Sequence, residues 1–506
     1  MRNCITSAGL WLTLVTSGLA AEPFGIQVID SQTKRGVPLV VLRTTNEQTF
    51  VTDSAGWVAI DEPDLLGRKV FFHISSHGYE FPQDGFGSRG HAMELVSGET
   101  TTIEIRRLNI AERLYRVTGG GIYVDSVRLG KPVPLNQPLL AGGVVGQDSV
   151  QAAVFHGRIH WFWGDTNRLS YPLGQFRTSG AISDLPSQKG LDPDVGIDLH
   201  YETNADGFSR PMFDLDGPGV VWLDGLCVVS DEAGAEHLVG HYSRREGLTQ
   251  QLAHGLAEFD PQARAFRPLV DLPERESLHP QGQATRMTID DGTEYIVFSN
   301  PYPSLRVRAS LAAIQDPAQY EGFTPLAPGR AVNEDAQRLE PDDRDEIVYA
   351  WKRNTAPLTA TQEQQLAETK QLPEQRLHWQ TSDATTEKRV LLHSGSVRWN
   401  AYRQRWVLIA VQTFGTPSFL GEVWYAESKR IEGPWRKAVR IVSHDRYSFY
   451  NPTQHDFFDQ DGGRFIYFEG TYTHTFSNHP APTPRYDYNQ VMYRLDLNDP
   501  RLKVAR

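Results

Sequence analysis

Between residues 156 and 469 one short pattern returns five times, a turn of Gly or polar residues followed by an apolar strand. The copies are His156-Gly157-Arg158-Ile159-His160-Trp161-Phe162-Trp163, Gly234-Ala235-Glu236-His237-Leu238-Val239-Gly240-His241, Gly292-Thr293-Glu294-Tyr295-Ile296-Val297-Phe298-Ser299, Gln404-Arg405-Trp406-Val407-Leu408-Ile409-Ala410 and Gly462-Gly463-Arg464-Phe465-Ile466-Tyr467-Phe468-Glu469. Each reads as an inner hairpin, and a second, more amphipathic strand pair follows it. A repeated sheet of this kind buries its faces by stacking on the next copy, which gives a radial arrangement. The expected fold is therefore all-β, with a five-bladed propeller over 142–506. The spacing is longest between Gly292 and Gln404, where an acidic stretch from Glu340 to Glu346 precedes a helix over Ala360 to Lys370, opened by a Thr359/Gln362 capping box. That region, near 330–388, is expected to be a surface insertion.

Ahead of the repeats lie three other segments. Residues 1–21 carry Arg2, an apolar stretch from Ala8 to Leu19 and small residues at Ala20 and Ala21, the pattern of a secretory signal peptide. A secreted or periplasmic location follows as an expectation, without membrane insertion, since no later apolar run reaches the roughly 20 residues a spanning helix needs. Cleavage would leave Cys227 alone and no internal disulfide, so folding must rest on core burial. From residue 22 to 108, short alternating runs such as Gly25-Ile26-Gln27-Val28-Ile29-Asp30 are separated by turns, as in a small antiparallel β-sandwich. The string Thr52-Asp53-Ser54-Ala55-Gly56 there resembles the turn of carboxypeptidase regulatory-like (transthyretin-like) domains, which are usually accessory. Residues 109–141, with Gly119-Gly120-Gly121, read as a linker.

In a propeller the innermost strands line a central channel and ligands bind at one mouth. The polar residues just before the inner hairpins are Gln147 and Asp148; Asp216, Trp222 and Asp224; His279 and Gln281; His393 and Ser394; and Asn451, Gln454 and His455. Return strands add Trp163 and Asp165, Asn300 and Glu469. Polar side chains cost free energy when buried unpaired, so a ring of them points to ligand hydroxyls better than to packing. Trp163, His279, Gln281, His393, Asn451, Gln454 and His455 are the expected substrate-binding positions. His279, His393 and His455 lie on different repeats and resemble hydroxyl-binding groups more than a metal motif, so no metal or cofactor is expected, although a structural calcium ion in the channel would be compatible.

Two strings carry a family resemblance. Gly146-Gln147-Asp148 followed by Trp161-Phe162-Trp163-Gly164-Asp165-Thr166 is similar to the opening blade of secreted arabinan-cleaving propellers, and Trp424-Tyr425-Ala426-Glu427-Ser428 leading to Gly433-Pro434-Trp435 is similar to an outer-strand turn in them. The chain thus resembles five-bladed glycoside hydrolases of families 43, 62 and 32. The resemblance implies that Asp148 is the general base. It also implies an acidic Glu on the third blade, and here the chain departs, offering His279-Pro280-Gln281-Gly282-Gln283. Glycosidic cleavage needs two carboxyl groups, so the acid is expected from Asp165 or Glu469, with Glu422 a weaker choice.

With 62 acidic against 50 basic residues the chain is a poor match for nucleic acid. A polysaccharide or oligosaccharide is the expected partner. Hydrolysis, glycan binding without turnover, and polysaccharide lyase chemistry, in which His and Tyr would move protons, all stay open at this point.

Overall fold

The computed structural model describes residues 22–175, 177–247, 249–329, 339–344 and 346–505. The expected signal peptide, residues 1–21, and part of the expected insertion therefore lie outside the described residues.

The chain is all-β. At its N-terminal end two four-stranded sheets face each other. One holds Trp57–Ile60, Phe24–Asp30, Thr100–Arg107 and Tyr79–Glu80, and the other holds Thr49–Val51, Val41–Thr44, Lys69–Ser75 and Gly90–Glu94. Alternating apolar residues from both, including Ile26, Val28, Leu42, Val58, Phe72, Ile74 and Ile103, form one buried core. The sandwich departs from the antiparallel expectation at one pairing, because Phe24–Asp30 and Thr100–Arg107 run parallel.

Beside a three-stranded sheet of Val144–Gln147, Thr166–Arg168 and Tyr171–Gln175, five larger sheets follow in chain order. Their first strands are Gln151–Phe155, Val220–Ser230, Gln283–Thr288, Leu392–Asn400 and Ser448–Gln454. Each pairs antiparallel with the next strand along the chain. These first strands touch one another in succession, from the first sheet to the fifth. The five turns marked in the sequence behave alike: Gly157, Gly234, Gly292, Gln404 and Gly462 all have positive φ, the conformation a tight hairpin turn requires.

The fifth sheet is completed from elsewhere. Its order is Ser448–Gln454, Phe465–Thr473, Asn489–Asp496 and then Glu112–Arg116. The stretch 109–141, expected as a linker, thus contains a strand with all five residues buried. Its charges concealed it, because Glu112, Arg113 and Arg116 do not read as a core strand. They are paired: Arg494 donates to Glu112 at 2.6 Å, Arg113 donates to the Pro38 carbonyl at 2.8 Å, and Arg116 lies over the Tyr486 ring. The Arg113 contact also joins the sandwich to the fifth sheet, helped by the Tyr486 hydroxyl, which donates to the Thr52 carbonyl at 2.7 Å.

Among the described residues the insertion makes no sheet of its own. Ala350–Arg353 extends the outer edge of the third sheet, Thr381–Asp383 and Arg389–Val390 extend that of the fourth, and the helix Ala360–Glu368 begins at the Thr359/Gln362 capping box. No helix among these residues is long and apolar enough to cross a membrane.

Candidate active site

A cavity of about 680 Å³ opens where the first strands converge. Its wall takes Asp148, Ser149 and Asp165 from the first sheet's approach and return, Trp222 and Asp224 from the second sheet, Gln283 and Asn300 from the third, His393 and Ser394 from the fourth, and Tyr450 and Asn451 from the fifth. Phe476 and Tyr488 close one side.

Asp148 sits in a nest of donors. The main-chain amide of Asp165 donates to Oδ1 and the Tyr450 hydroxyl to Oδ2, both at 2.9 Å. Burial raises its pKa, and hydrogen bonds from Tyr450, Tyr488, the Asp165 amide and Ser149 oppose that rise by favouring the charged carboxylate. Gly164 is required beside it, since any Cβ there would come within 2.5 Å of Asp148 Oδ1.

Asp165 is different. Burial first, and the neighbouring Asp148 charge second, push it up to about 7, while donation from Trp222 and Tyr488 pulls the other way. Trp222 Nε1 donates to Asp165 Oδ1 at 2.9 Å. Asp165 can therefore hold a proton near neutral pH beside a carboxylate that accepts from several donors.

Asp224 is the third carboxyl on the wall. Burial lifts it to about 6, against donation from the Gly282 and Gly225 amides. It accepts from Gly282 N at 2.9 Å and Gln151 Nε2 at 3.2 Å. The close approach depends on Gly225, whose φ is +61° and where a Cβ would meet Pro280 C and Gln281 N at 2.5 Å. Across the cavity, Ser394 donates to Asn451 at 2.9 Å and Asn451 donates to Ser149 at 2.8 Å, which joins the fourth, fifth and first sheets. Asn451 holds a φ of +50°, a left-handed conformation that Asn tolerates better than most residues.

Of the positions expected from sequence, Asp148, Asp165, His393 and Asn451 meet in this cavity, together with Trp222, Asp224, Asn300 and Ser394. Trp163, Gln281, His279, Gln454, His455 and Glu469 do not line it. Glu469 is fully buried and paired with His455 Nε2 at 2.7 Å, and His455 packs edge-on to Trp161. Trp163 is buried against Trp161 and Tyr201. Gln454 is buried, and its main-chain amide donates to the Ser396 hydroxyl oxygen at 2.8 Å. Glu422 is buried and held by Arg440 and Ser443. His279 stacks on His241 with ring centroids 3.8 Å apart. The three histidines noted from sequence, His279, His393 and His455, thus stand in three separate places.

Tyr450, Tyr488 and Phe476 were missed. The first two supply donors to Asp148, and Phe476 is a half-exposed ring edge-on to Tyr450, centroids 6.1 Å apart. A signal was present for Tyr450, which directly precedes Asn451; Tyr488 and Phe476 lie in the loop after the return strand, outside the repeated unit.

No protein-family model and no curated protein matches the chain. Solved structures that superpose on it include an exo-1,5-α-L-arabinanase from a bovine ruminal metagenomic library, at 10% identity and a TM-score of 0.34, over 70% of this chain and 94% of that one. An exo-β-1,3-galactanase from Clostridium thermocellum superposes at 11% identity and a TM-score of 0.33, over 72% of this chain and 60% of that one. An endo-arabinase from Bacteroides thetaiotaomicron does so at 10% identity and a TM-score of 0.32, over 68% of this chain and 96% of that one.

Proposed function

We propose that the protein is an exported glycoside hydrolase that cleaves a polysaccharide or oligosaccharide in the cavity at the centre of a five-bladed propeller. The observation that carries this reading is the Asp148/Asp165 pair, two adjacent carboxyls whose surroundings set them to different tasks. Burial raises both, but at Asp148 hydrogen bonds from Tyr450, Tyr488, the Asp165 amide and Ser149 favour the charged form against it, while Asp165 is pushed up to about 7 by burial and by the Asp148 charge. Carboxyls separated in this way are the usual means of running acid and base chemistry together near neutral pH.

In this reading Asp165 protonates the leaving glycosidic oxygen. Asp148 either removes a proton from the attacking water or attacks the anomeric carbon itself. Tyr450 and Tyr488 favour the charged form of Asp148 against its burial, and Asp224 fixes the Gly282 loop across the cavity through its amide contact. Phe476 and Trp222 offer ring faces to sugar C–H surfaces, and His393, Asn300 and Asn451 offer polar tips to hydroxyls. The sandwich is an accessory module of the transthyretin-like kind.

Release of reducing ends from a panel of plant, algal and bacterial polysaccharides tests the proposal. Hydrolysis yields new reducing ends without ultraviolet-absorbing products, whereas a lyase would yield both. One observation favours glycan binding without turnover as a second reading: the third sheet lends the cavity the amides Gln283 and Asn300 and no carboxyl. Retention on a glycan with no ends released from any member of the panel would establish that reading and overturn hydrolysis.

A further inference from the structure

We propose that His241, His254 and His279 form a binding site for a divalent transition-metal ion of the zinc class, between the second and third sheets. His241 lies on Glu236–Glu246 and His254 on the adjoining Gln250–Asp260. In their register His254 opposes Ser243, two residues from His241, so the two side chains are diagonal neighbours on one face of the sheet. His279 arrives from the segment leading into the third sheet and lays its ring on His241, 14° from parallel. One nitrogen from each ring lies within 4.8 Å of the other two. This is the one such group of three or more potential ligand residues among the described residues.

The hydrogen bonds settle which nitrogens carry lone pairs. A carbonyl oxygen only accepts, so His254 Nε2 donates to Pro273 O at 2.6 Å and His279 Nδ1 donates to Pro280 O at 2.8 Å. In the neutral rings that leaves His254 Nδ1 and His279 Nε2 as acceptors. His241 Nε2 is 3.0 Å from His254 Nδ1 and donates to it when no ion is bound. On loading, His241 moves that proton to its own Nδ1 and turns a third lone pair to the same point. Metal-bound histidines almost always donate their other N–H to a carbonyl or carboxylate, which fixes ring and tautomer. Two of these three already do so.

The surroundings favour the neutral rings that coordination needs. Burial lowers both His241, to about 2, and His279; Arg245 opposes a charge on His241, while Glu276 acts on His279 in the opposite sense. Three imidazoles without an oxygen donor suit zinc and its neighbours rather than calcium or magnesium. Zn–N bonds of about 2.0–2.1 Å bring ligand nitrogens to roughly 3.3 Å from each other, so the widest pair must close by at most about 1.5 Å, within reach of ring rotation.

Such an ion is structural, because none of the three rings lines the cavity. It reaches the site indirectly: His241 opposes Asp224 in the strand register, and His279 lies three residues before Gly282, whose amide donates to Asp224. The ion would clamp the loop that holds that carboxyl.

The test uses the whole protein, stripped with a chelator and titrated with Zn²⁺ and with Co²⁺ as a visible-absorbing substitute. One equivalent of Zn²⁺ should bind per chain, the melting temperature should rise by several degrees, and bound Co²⁺ should absorb as a nitrogen-ligated ion. His279→Ala, at a half-buried position, and His254→Gln should each weaken Zn²⁺ binding by about 100-fold or more. Unchanged melting of the stripped His279→Ala protein shows that the loss is one of ligation and not of folding. Absence of stoichiometric Zn²⁺ uptake by the stripped wild type, or equal uptake by both variants, overturns the site. These readouts do not involve glycan turnover and stand whether or not the protein is a hydrolase.

Discussion

The main-chain amide of Asp165 donates to the carboxylate of Asp148 at 2.9 Å, so the chain itself sets one acidic residue against the backbone of the other. The contact needs the turn at Gly164, which leaves no Cβ between them. Two consequences follow: the position of Asp148 is fixed by main chain as well as by Tyr450, and its charge acts on Asp165 directly.

Asp148→Asn tests the first. The amide keeps the side chain's shape and can still accept from the Asp165 amide, but its nitrogen cannot accept from Tyr450, and no basic oxygen remains. Turnover should fall by at least about 10²-fold, in the range general-base loss costs. The unfolding free energy should change by about 1 kcal/mol, the scale of one hydrogen bond. Kinetics and thermal melting on the same purified variant separate the effects. A folded variant with full turnover would remove Asp148 from the mechanism.

Asp165→Asn tests the second, through pH. The folded-state pKa of Asp165, about 7, stands above the ordinary carboxyl value of 3.8. Its stabilising contribution is therefore complete below about pH 4, where the group is protonated in both states, and is lost as the pH rises through 7. Asn carries no charge at any pH and can still accept from Trp222. The melting temperature of the variant relative to wild type should thus rise steadily between pH 4 and pH 8, while turnover is lost. Wild-type turnover should decline on the alkaline side as Asp165 gives up its proton near pH 7. A stability difference that stays flat across this range would refute the raised pKa.

The repeated turns announced the five sheets because positive φ at a hairpin is a local demand, visible in one or two residues. Asp148, Asp165, His393 and Asn451 were legible for a related reason, as Asp148 and Asp165 stand just outside the first sheet's inner strands and His393 and Asn451 lie on the inner strands that lead into the marked turns. Alternation failed at the fifth sheet. Its register shifts between Tyr450 and Thr453, and this bulge breaks the two-residue period, so Asn451 reaches the cavity while Gln454 and His455 turn into the core. Glu469 and Trp163 sit on second strands, one position out from the cavity, where side chains fill the space between sheets. The missing third-sheet carboxyl was also legible, and the cavity presents Gln283 and Asn300 there.

Phe476 offers a kinetic test of substrate contact. Its ring is 56% exposed on the cavity wall, a position that folding alone does not favour for an aromatic residue. If it stacks on sugar in both the ground and transition states, Phe476→Ala removes uniform binding. KM should then rise about tenfold, equivalent to about 1.4 kcal/mol, with kcat nearly unchanged. An equal loss in kcat would instead place the ring against the reacting sugar, and unchanged kinetics would exclude it from the binding surface.

The strand Glu112–Arg116 makes a prediction about how the ring of sheets is held. It pairs with the third strand of the last sheet through Val491↔Arg116, Met492↔Tyr115, Tyr493↔Arg113 and Arg494↔Glu112. A strand from before the first sheet thus completes the last one, and a backbone ladder ties the last sheet to the chain that leads into the first. Two shortened chains isolate its contribution, one spanning 109–506 and one spanning 118–506. Both lack the sandwich and so expose the same surface around Tyr486, but only the second loses the strand. Without it, the edge Asn489–Asp496 has unpaired main-chain groups, and Arg494 loses its Glu112 partner. Buried strand edges left in that state either open locally or pair with another chain. The 118–506 chain should aggregate or melt without cooperativity, while the 109–506 chain should give a single cooperative transition. Equal, cooperative melting of the two would mean that the ladder is dispensable and that contact between the first strands closes the ring.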